Sequence, residues 1–363
     1  MKNTIGNSVA LTVFGESHGL GVGAVLDGLA PGINVDEDFI RHQLDLRRPV
    51  GKISTPRVET DEFIIQSGVF EGKTTGTPIS IFIPNNNTKS SDYGENRFKA
   101  RPGHADFTAF NKYHGFEDYR GGGHFSGRIT AGIVAVGAIA ISALKQKGIK
   151  IGTHISKCAG IEDGHFSNLE AEIDALNNKL FAVIDVDKGS KMQEKIIEAV
   201  SQGNSVGGVL ETVITGLPTG VGEPWFDSIE SLISHAIFSI PAVKGIEFGA
   251  GFSICDMFGS DANDSFVIKD GKVVTKTNNN GGINGGITNG MPVIFRTAIK
   301  PTPTISLAQN TVDMNTSAET RLEAKGRHDP CIVHRARVVV DSITAIVLCD
   351  ILLGRFGTDW LIK

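Results

Sequence analysis

The chain has 363 residues, 40% of them hydrophobic, with 35 Lys and Arg against 40 Asp and Glu and a net charge of -5. That much apolar content can bury one large core, which excludes a disordered chain, and the acidic balance excludes a general nucleic-acid binder, whose phosphate grip needs a basic surplus over a whole face. The four cysteines, Cys158, Cys255, Cys331 and Cys349, form no CxxC pair, so neither a disulfide framework nor a zinc knuckle is indicated and they read as reduced core thiols.

The amino terminus, MKNTIGNSVALTVFG, lacks the unbroken apolar stretch of a secretory signal, so a cytoplasmic protein is expected. Residues 8–29, SVALTVFGESHGLGVGAVLDGL, predict two paired strands around a Gly-Glu-Ser-His turn. Gly19, Gly21 and Gly23 imitate a dinucleotide fingerprint, but no helix follows them, so a Rossmann unit is set aside. Helices are predicted over 36–46, 128–147, 192–201, 227–239 and 338–353, and strands over 80–83, 209–215 and 292–299. The run 129–144 is broken by Thr130, Gly132, Gly137 and Ser142 and falls short of the about 20 residues of a membrane span, so it reads as a buried helix. Segment 84–99, with a run of three asparagines and two serines, is a candidate for a mobile piece that orders over a site. No tandem period or linker appears, and one domain over residues 1–363 is expected.

Two long apolar helices each follow a short stretch of Gly, His and Arg: RGGGHFSGR before one, GRHDPCIVHRAR before the other. Helix amino termini present unpaired N–H groups and a positive dipole end, so both are natural anion sites, and the repetition hints at a two-fold pseudo-repeat. The cations cluster beside glycines as well: Arg47 with Arg48, then Arg101, Arg120 and Arg128, then Arg327, Arg335 and Arg337. An acidic protein with its arginines so gathered is expected to bind a small anion.

Four stretches carry candidate chemistry: GESHG (15–19), RPGHADF (101–107), YRGGGHFSGR (119–128) and GRHDPC (326–331). Each has a plain structural alternative. His18 can be a turn histidine bonded to backbone, Asp106 can close an Asx turn beside His104, and Asp329 can be a turn acid paired with Arg327. Arg47 and Arg48 can be a solvated helix end, and Arg101, Arg120 and Arg128 separate surface ion pairs. Four recurrences of one arrangement favour a shared site. The pattern His-x-Asp, with His114, His124 and His328, also admits a metal, although no His-x3-His spacing is present. NNNGGINGGITNG (278–290) is a loop or a backbone that approaches a flat ligand, and KPTPTIS (300–306) offers a lysine and hydroxyls or a plain extended connection.

Seven ordered stretches resemble the chorismate synthase family: TIGNSVALTVFGESHG, RPGHADF, YRGGGHFSGR, EPWFDSIESLISHAIFSIPAVKGIEFGAGF, NNNGGINGGITNG, IKPTPTIS and KGRHDPCIVHRA. The resemblance implies an α+β fold with helices sandwiched between two antiparallel sheets, internally pseudo-symmetric, in a homotetramer. It implies an anti-1,4-elimination of phosphate and the C6 proton from 5-enolpyruvylshikimate 3-phosphate to give chorismate, requiring reduced FMN without net redox change. By the same resemblance, Ser17, Arg47, Arg48, Arg101, Ser126, Arg128 and Arg327 would hold the substrate, while His18 would serve the departing phosphate, His104 would protonate reduced flavin and Asp329 would assist removal of the C6 proton. Flavin contacts would be His124, Phe125, Ser126, Pro241, Ala242, Gly285, Lys300, Pro301, Thr302, Pro303, Thr304 and Arg327, with no metal.

The chain departs from the family pattern in places. LRRPVGK has Leu46 and Val50 where an arginine and a glycine are commoner, and Ile53 stands where a basic residue has been linked to NADPH. Direct reduction of flavin by NADPH is therefore open, and an external flavin reductase is a possible partner. HFSGRIT differs from the commoner Arg-Ser-Ser-Ala-Arg-Glu-Thr but keeps Arg128. Segment 84–99 is short, as in bacterial members without the fungal reductase function. Two other readings stand beside the flavin-dependent lyase: a metallohydrolase acting on a phosphate ester through His104, Asp106, His124 and Asp329, and a non-catalytic phosphometabolite-binding protein.

Overall fold

The computed structural model describes residues 3–49, 51–55, 60–86, 96–323 and 329–363. Two five-stranded antiparallel sheets enclose the long helices. The first runs in the order Thr4–Ile5, Ala10–Gly15, Gly21–Asp27, Ile79–Pro84, Ile64–Ser67, and the second in the order Val243–Phe248, Val293–Ile299, Gly208–Thr215, Lys150–Cys158, Ile161–Glu162. The strand pair read from residues 8–29 is present, in register from Ala10 opposite Asp27 to Gly15 opposite Val22.

Helix Thr130–Gln146 packs on Gly21–Asp27 and Ile79–Pro84 of the first sheet, helix Val333–Phe356 packs on Lys150–Cys158 and Gly208–Thr215 of the second, and the two helices pack on each other. Both are hydrophobic nearly all round because each has a sheet on one side and a helix on the other. The glycines that break the first apolar run set these distances. A Cβ on Gly132 would lie 2.6 Å from the carbonyl carbon of Gly23, and one on Gly137 would lie 2.4 Å from Cβ of Ser342. With its leading turn the helical stretch Gly127–Gln146 reaches 20 residues, long and apolar enough to cross a membrane, but 83% of it is buried inside the fold.

The halves repeat one plan. Ala10–Gly15, Gly21–Asp27, helix Glu37–Arg47, edge strand Ile64–Ser67, inner strand Ile79–Pro84 and a long helix are followed by Lys150–Cys158, Gly208–Thr215, helix Ile229–Ile237, edge strand Val243–Phe248, inner strand Val293–Ile299 and a long helix. The corresponding four strands stand in the same spatial order in both sheets. The fold is α+β, a pseudo-symmetric sandwich with helices inside.

Local signals fix most boundaries. Asp36 caps the first helix by accepting from the Phe39 amide, with Glu37 and Asp38 in its first turn. The helix expected over 192–201 begins at Val186, capped by Asp185; Gly189 hid its start, yet a Cβ there would lie 2.5 Å from Val183. The helix expected over 338–353 runs from Val333 to Phe356 and takes in Arg335 and Arg337. Arg337 does not join an anion cluster: it is fully buried, 3.1 Å from Asp341. Cys158, Cys331 and Cys349 are buried thiols, whereas Cys255 is exposed, against the expectation for it. Of segment 84–99, residues 87–95 lie outside the described residues.

Candidate active site

A cleft of about 1000 Å³ opens at the amino-terminal ends of the two long helices, between Ile129, Thr130 and Ile133 on one side and Ile332, Arg335 and Ala336 on the other. Repetition of the half-plan therefore brings Ser126 and Arg128 of one stretch and Asp329 and Arg335 of the other to one place.

The three glycines of YRGGGHFSGR have φ of 59°, 85° and 52°, a region that costs other residues strain. Space matters as much. A Cβ on Gly121 would lie 2.4 Å from Cδ2 and 2.6 Å from Nε2 of His18, and one on Gly122 would lie 3.2 Å from Cε1 and 3.3 Å from Nε2 of His104. Two imidazoles thus converge on neighbouring residues without side chains. The GESHG turn is tied to this loop by the Ser17 amide, which donates to the Gly123 carbonyl at 3.1 Å, and by Nδ1 of His124, which donates to the Gly15 carbonyl at 2.8 Å. Asn85 closes the turn with bonds to the carbonyls of Glu16 and Gly19 at 2.9 and 3.0 Å. Oγ of Ser17 is buried without a hydrogen-bond partner among the described residues.

The arginines are held by buried acids. Asp61, its side chain inaccessible, places one oxygen 2.9 Å from Nη2 of Arg47 and gives the other to Nη1 of Arg128. Burial works against its charge, but the two guanidiniums outweigh burial and hold the carboxyl below its ordinary range. Arg128 also donates to Asn85 Oδ1 at 3.0 Å and to the Pro84 carbonyl at 3.2 Å, and its amide rests on Ser126 Oγ at 3.3 Å. Arg48 bonds the Thr60 carbonyl. Arg101 grips Asp106 by Nε and Nη2, both at 2.7 Å, and Nδ1 of His104 lies 2.7 Å from the same carboxylate. Burial opposes ionisation of Asp106, yet the hydrogen bonds of Arg101 and His104 prevail and its carboxyl is held far below the usual range. Asp329 behaves in the opposite way: burial pushes it up, and the neighbouring Arg335 only partly offsets this. Arg335 reaches back to the Arg47 carbonyl at 2.8 Å, joining the two half-sites. Arg120, by contrast, is closed onto Asp118 at 2.7 and 2.8 Å.

The cleft is also lined by Pro241 and Ala242, by Lys300, Thr302, Pro303 and Thr304, and by Phe125. The Lys300 amide donates to the Ala242 carbonyl at 2.9 Å and its Nζ bonds the Gly103 carbonyl. Of the residues singled out in the sequence, His18, Arg47, Arg48, Arg101, His104, His124, Ser126, Arg128 and Asp329 line the same cleft. Ser17 lies just behind Gly121, its Oγ 3.0 Å from where a Cβ would stand. Pro301 does not line the cleft. Nor does Gly285, which occupies an exposed turn between Ile283–Asn284 and Ile287–Thr288. Arg327 lies outside the described residues. Sequence reasoning passed over Asp61, one acid in an acid-rich stretch, and Asn85; nothing in local spacing marks either. The groups of the metal alternative are each turned to protein partners, His104 to Asp106, His124 to Gly15 and Asp329 to Arg335, and no three His, Cys, Asp or Glu among the described residues gather as ligands.

The sequence profile described as chorismate synthase matches residues 9–353. The chain is 45% identical to the chorismate synthase of Thermococcus kodakarensis and 48% identical to that of Pyrococcus abyssi, in each case over 99% of both chains. A solved structure titled as the crystal structure of chorismate synthase superposes with a TM-score of 0.78 at 31% identity, covering 99% of this chain and 95% of the other. With profile, relatives and fold in agreement over nearly its whole length, the chain belongs to the chorismate synthase family, whose members are carbon–oxygen lyases.

Proposed function

We propose that this chain converts 5-enolpyruvylshikimate 3-phosphate to chorismate by anti-1,4-elimination of phosphate and the C6 proton, with reduced FMN bound in the same cleft. The observation that carries this reading is the convergence of His18 and His104 on Gly121 and Gly122 in a cleft that also holds Arg47, Arg48, Arg101 and Arg128. The residues present fit a flat cofactor: the missing side chains at Gly121 and Gly122 make room for the His18 and His104 rings, Ser17 keeps a buried hydroxyl without a partner among the described residues, and Pro241, Ala242 and Thr302 to Thr304 add apolar groups and hydroxyls to the cleft. When bound, reduced FMN supplies an electron transiently and recovers it, so the elimination has no net redox change.

The chain's own groups do the rest. The guanidinium charges of Arg47, Arg48, Arg101 and Arg128, with that of Arg327, attract the substrate's phosphate and carboxylate. His18 gives a proton to the departing phosphate and His104 passes one on the cofactor side, transfers that an imidazole can carry out through its ring nitrogens. Asp329, raised by burial, is the carboxyl assigned to the C6 proton. Leu46 and Ile53 are buried and offer no cation to a nucleotide phosphate, which favours supply of reduced flavin by a separate reductase over direct use of NADPH. A homotetramer is part of the same reading, supported by the exposed Trp225, Phe226, Phe252 and Phe258; light scattering tests it, and a monomer would refute it.

The experiment is anaerobic. Protein and 5-enolpyruvylshikimate 3-phosphate are mixed with dithionite-reduced FMN, oxidised FMN or no flavin, and chorismate absorbance is followed. Product with reduced FMN alone is expected. Phosphate release without flavin would favour a hydrolase, and substrate binding without product would favour a binding protein.

A further inference from the structure

Asp106 does more than close the RPGHADF turn. We infer that it is the positioning residue for His104: it holds the ring with a hydrogen on Nδ1 and so presents Nε2 to Gly122 and the cleft. The inference rests on the elimination proposed above, in which His104 handles a proton.

The hydrogen-bond arithmetic places a hydrogen on Nδ1. Nδ1 of His104 lies 2.7 Å from Asp106 Oδ1 and 3.1 Å from Arg101 Nη2. A guanidinium only donates and a carboxylate only accepts. Were Nδ1 to accept from Arg101, its lone pair would face a carboxylate lone pair across 2.7 Å. With the hydrogen on Nδ1 the shorter contact becomes a charge-assisted bond, and Arg101 is satisfied by Asp106 itself, through Nη2 to Oδ1 and Nε to Oδ2. The two carboxylate oxygens divide the work. Oδ2 accepts the Arg101 amide at 3.0 Å and its Nε, which closes the turn, while Oδ1 orients the ring. In the neutral ring Nε2 then carries the open lone pair, 3.3 Å from where a Cβ on Gly122 would stand, so the glycine leaves room at that atom. Asp106 is the first residue of helix Asp106–Tyr113, a rigid base for an orienting group.

This division makes Asp106→Asn a sharp test. Two N–H groups of Arg101 converge on the Oδ2 position against one on Oδ1, so the amide oxygen is better placed at Oδ2, and the NH₂ then faces His104 and makes Nδ1 accept. Two-bond ¹H–¹⁵N NMR on the histidine-labelled full chain, with His104 assigned by its loss in His104→Gln, is expected to show the Nδ1–H tautomer in the native protein and Nε2–H in D106N. Turnover in the elimination assay should fall by about 10²-fold in kcat, as for a lost proton transfer. In a His104→Ala background D106N should cost nothing further. A native ring already in the Nε2–H form, or a D106N loss that persists in full without His104, would overturn the inference. Should D106N not fold, the native tautomer alone decides. If H104A turns over normally, the role proposed for His104 fails, while the tautomers still report separately on Asp106.

Discussion

The two halves share element order and strand order but place their charges differently. In the first half His18, Arg47 and Arg128 stand at the ends of elements, around the cleft, with Asp61 between the arginines. In the second half His154, Glu211, Arg296 and Glu247 form one row straight across four strands, each directly opposite the next. Contacts of 3.3, 3.2 and 2.7 Å close the row. It lies on the face turned away from the two long helices, because the alternate residue Thr153 points inward to Asp341. Mid-strand, every charge has a cross-strand partner fixed by register and nothing is left for a ligand. At element ends, charges meet across a gap whose width tertiary packing sets. One scaffold therefore yields a cleft at the element ends where the two halves meet and a closed ladder across the strands of the second.

The sharpest way to break this comparison is Asp61→Ala. It leaves two buried guanidiniums without their acid and should cost about 3–5 kcal/mol of stability, read from urea unfolding. If the loss is below that of Arg296→Ala, the first-half cluster is not the tighter one. Gly121→Ala should lower turnover by about 10²-fold through displacement of the His18 ring, with the protein still folded. Gly271→Ala, also at positive φ but facing open space, should leave turnover unchanged; equal losses at both glycines would mean that backbone strain, not the ring contact, is what matters.

Two buried histidines give opposite pH signatures. Burial lowers His154, but Asp163 and Glu211 more than compensate, so its folded value is raised. The stability it adds is complete below its ordinary value and is lost as pH rises through the raised one. His334, in the long helix of the second half, is pushed down to about 3 by burial, with Arg335 adding to the effect. Its penalty is absent above the unfolded value of 6.5, grows as pH falls below that, and levels off under about 3. Unfolding free energy measured across pH should lose the first dependence in His154→Gln and the second in His334→Gln; the same sign in both would contradict these environments. The smallest effect is expected at the sheet edge, where Glu247→Gln weakens a partly exposed pair to Arg296 by about 1 kcal/mol or less.

Much of this molecule was legible in its residues. The pattern over 36–46 marked the first helix, the turn within residues 8–29 marked a strand pair, and the long apolar run marked a core helix, because each signal depends on neighbours within a turn or a pleat. Strand Lys150–Cys158 escaped because its sides are covered by different partners, Thr153 by a helix acid and His154 by Asp163, so polar residues are buried on both faces and the alternation vanishes. Edge strand Val243–Phe248 escaped because a register shift between Val243 and Gly245 breaks its period. The sequence by itself determined which side chains were available for chemistry and pointed to the family through ordered motifs. Only the tertiary structure decided that Asp61 lies between Arg47 and Arg128, that Gly121 and Gly122 each face a histidine, and that Gly285 stands outside the cleft. The reason is physical: periodicity and capping act over a few residues, whereas burial and charge pairing act through space between segments whose separation along the chain carries no information about their distance.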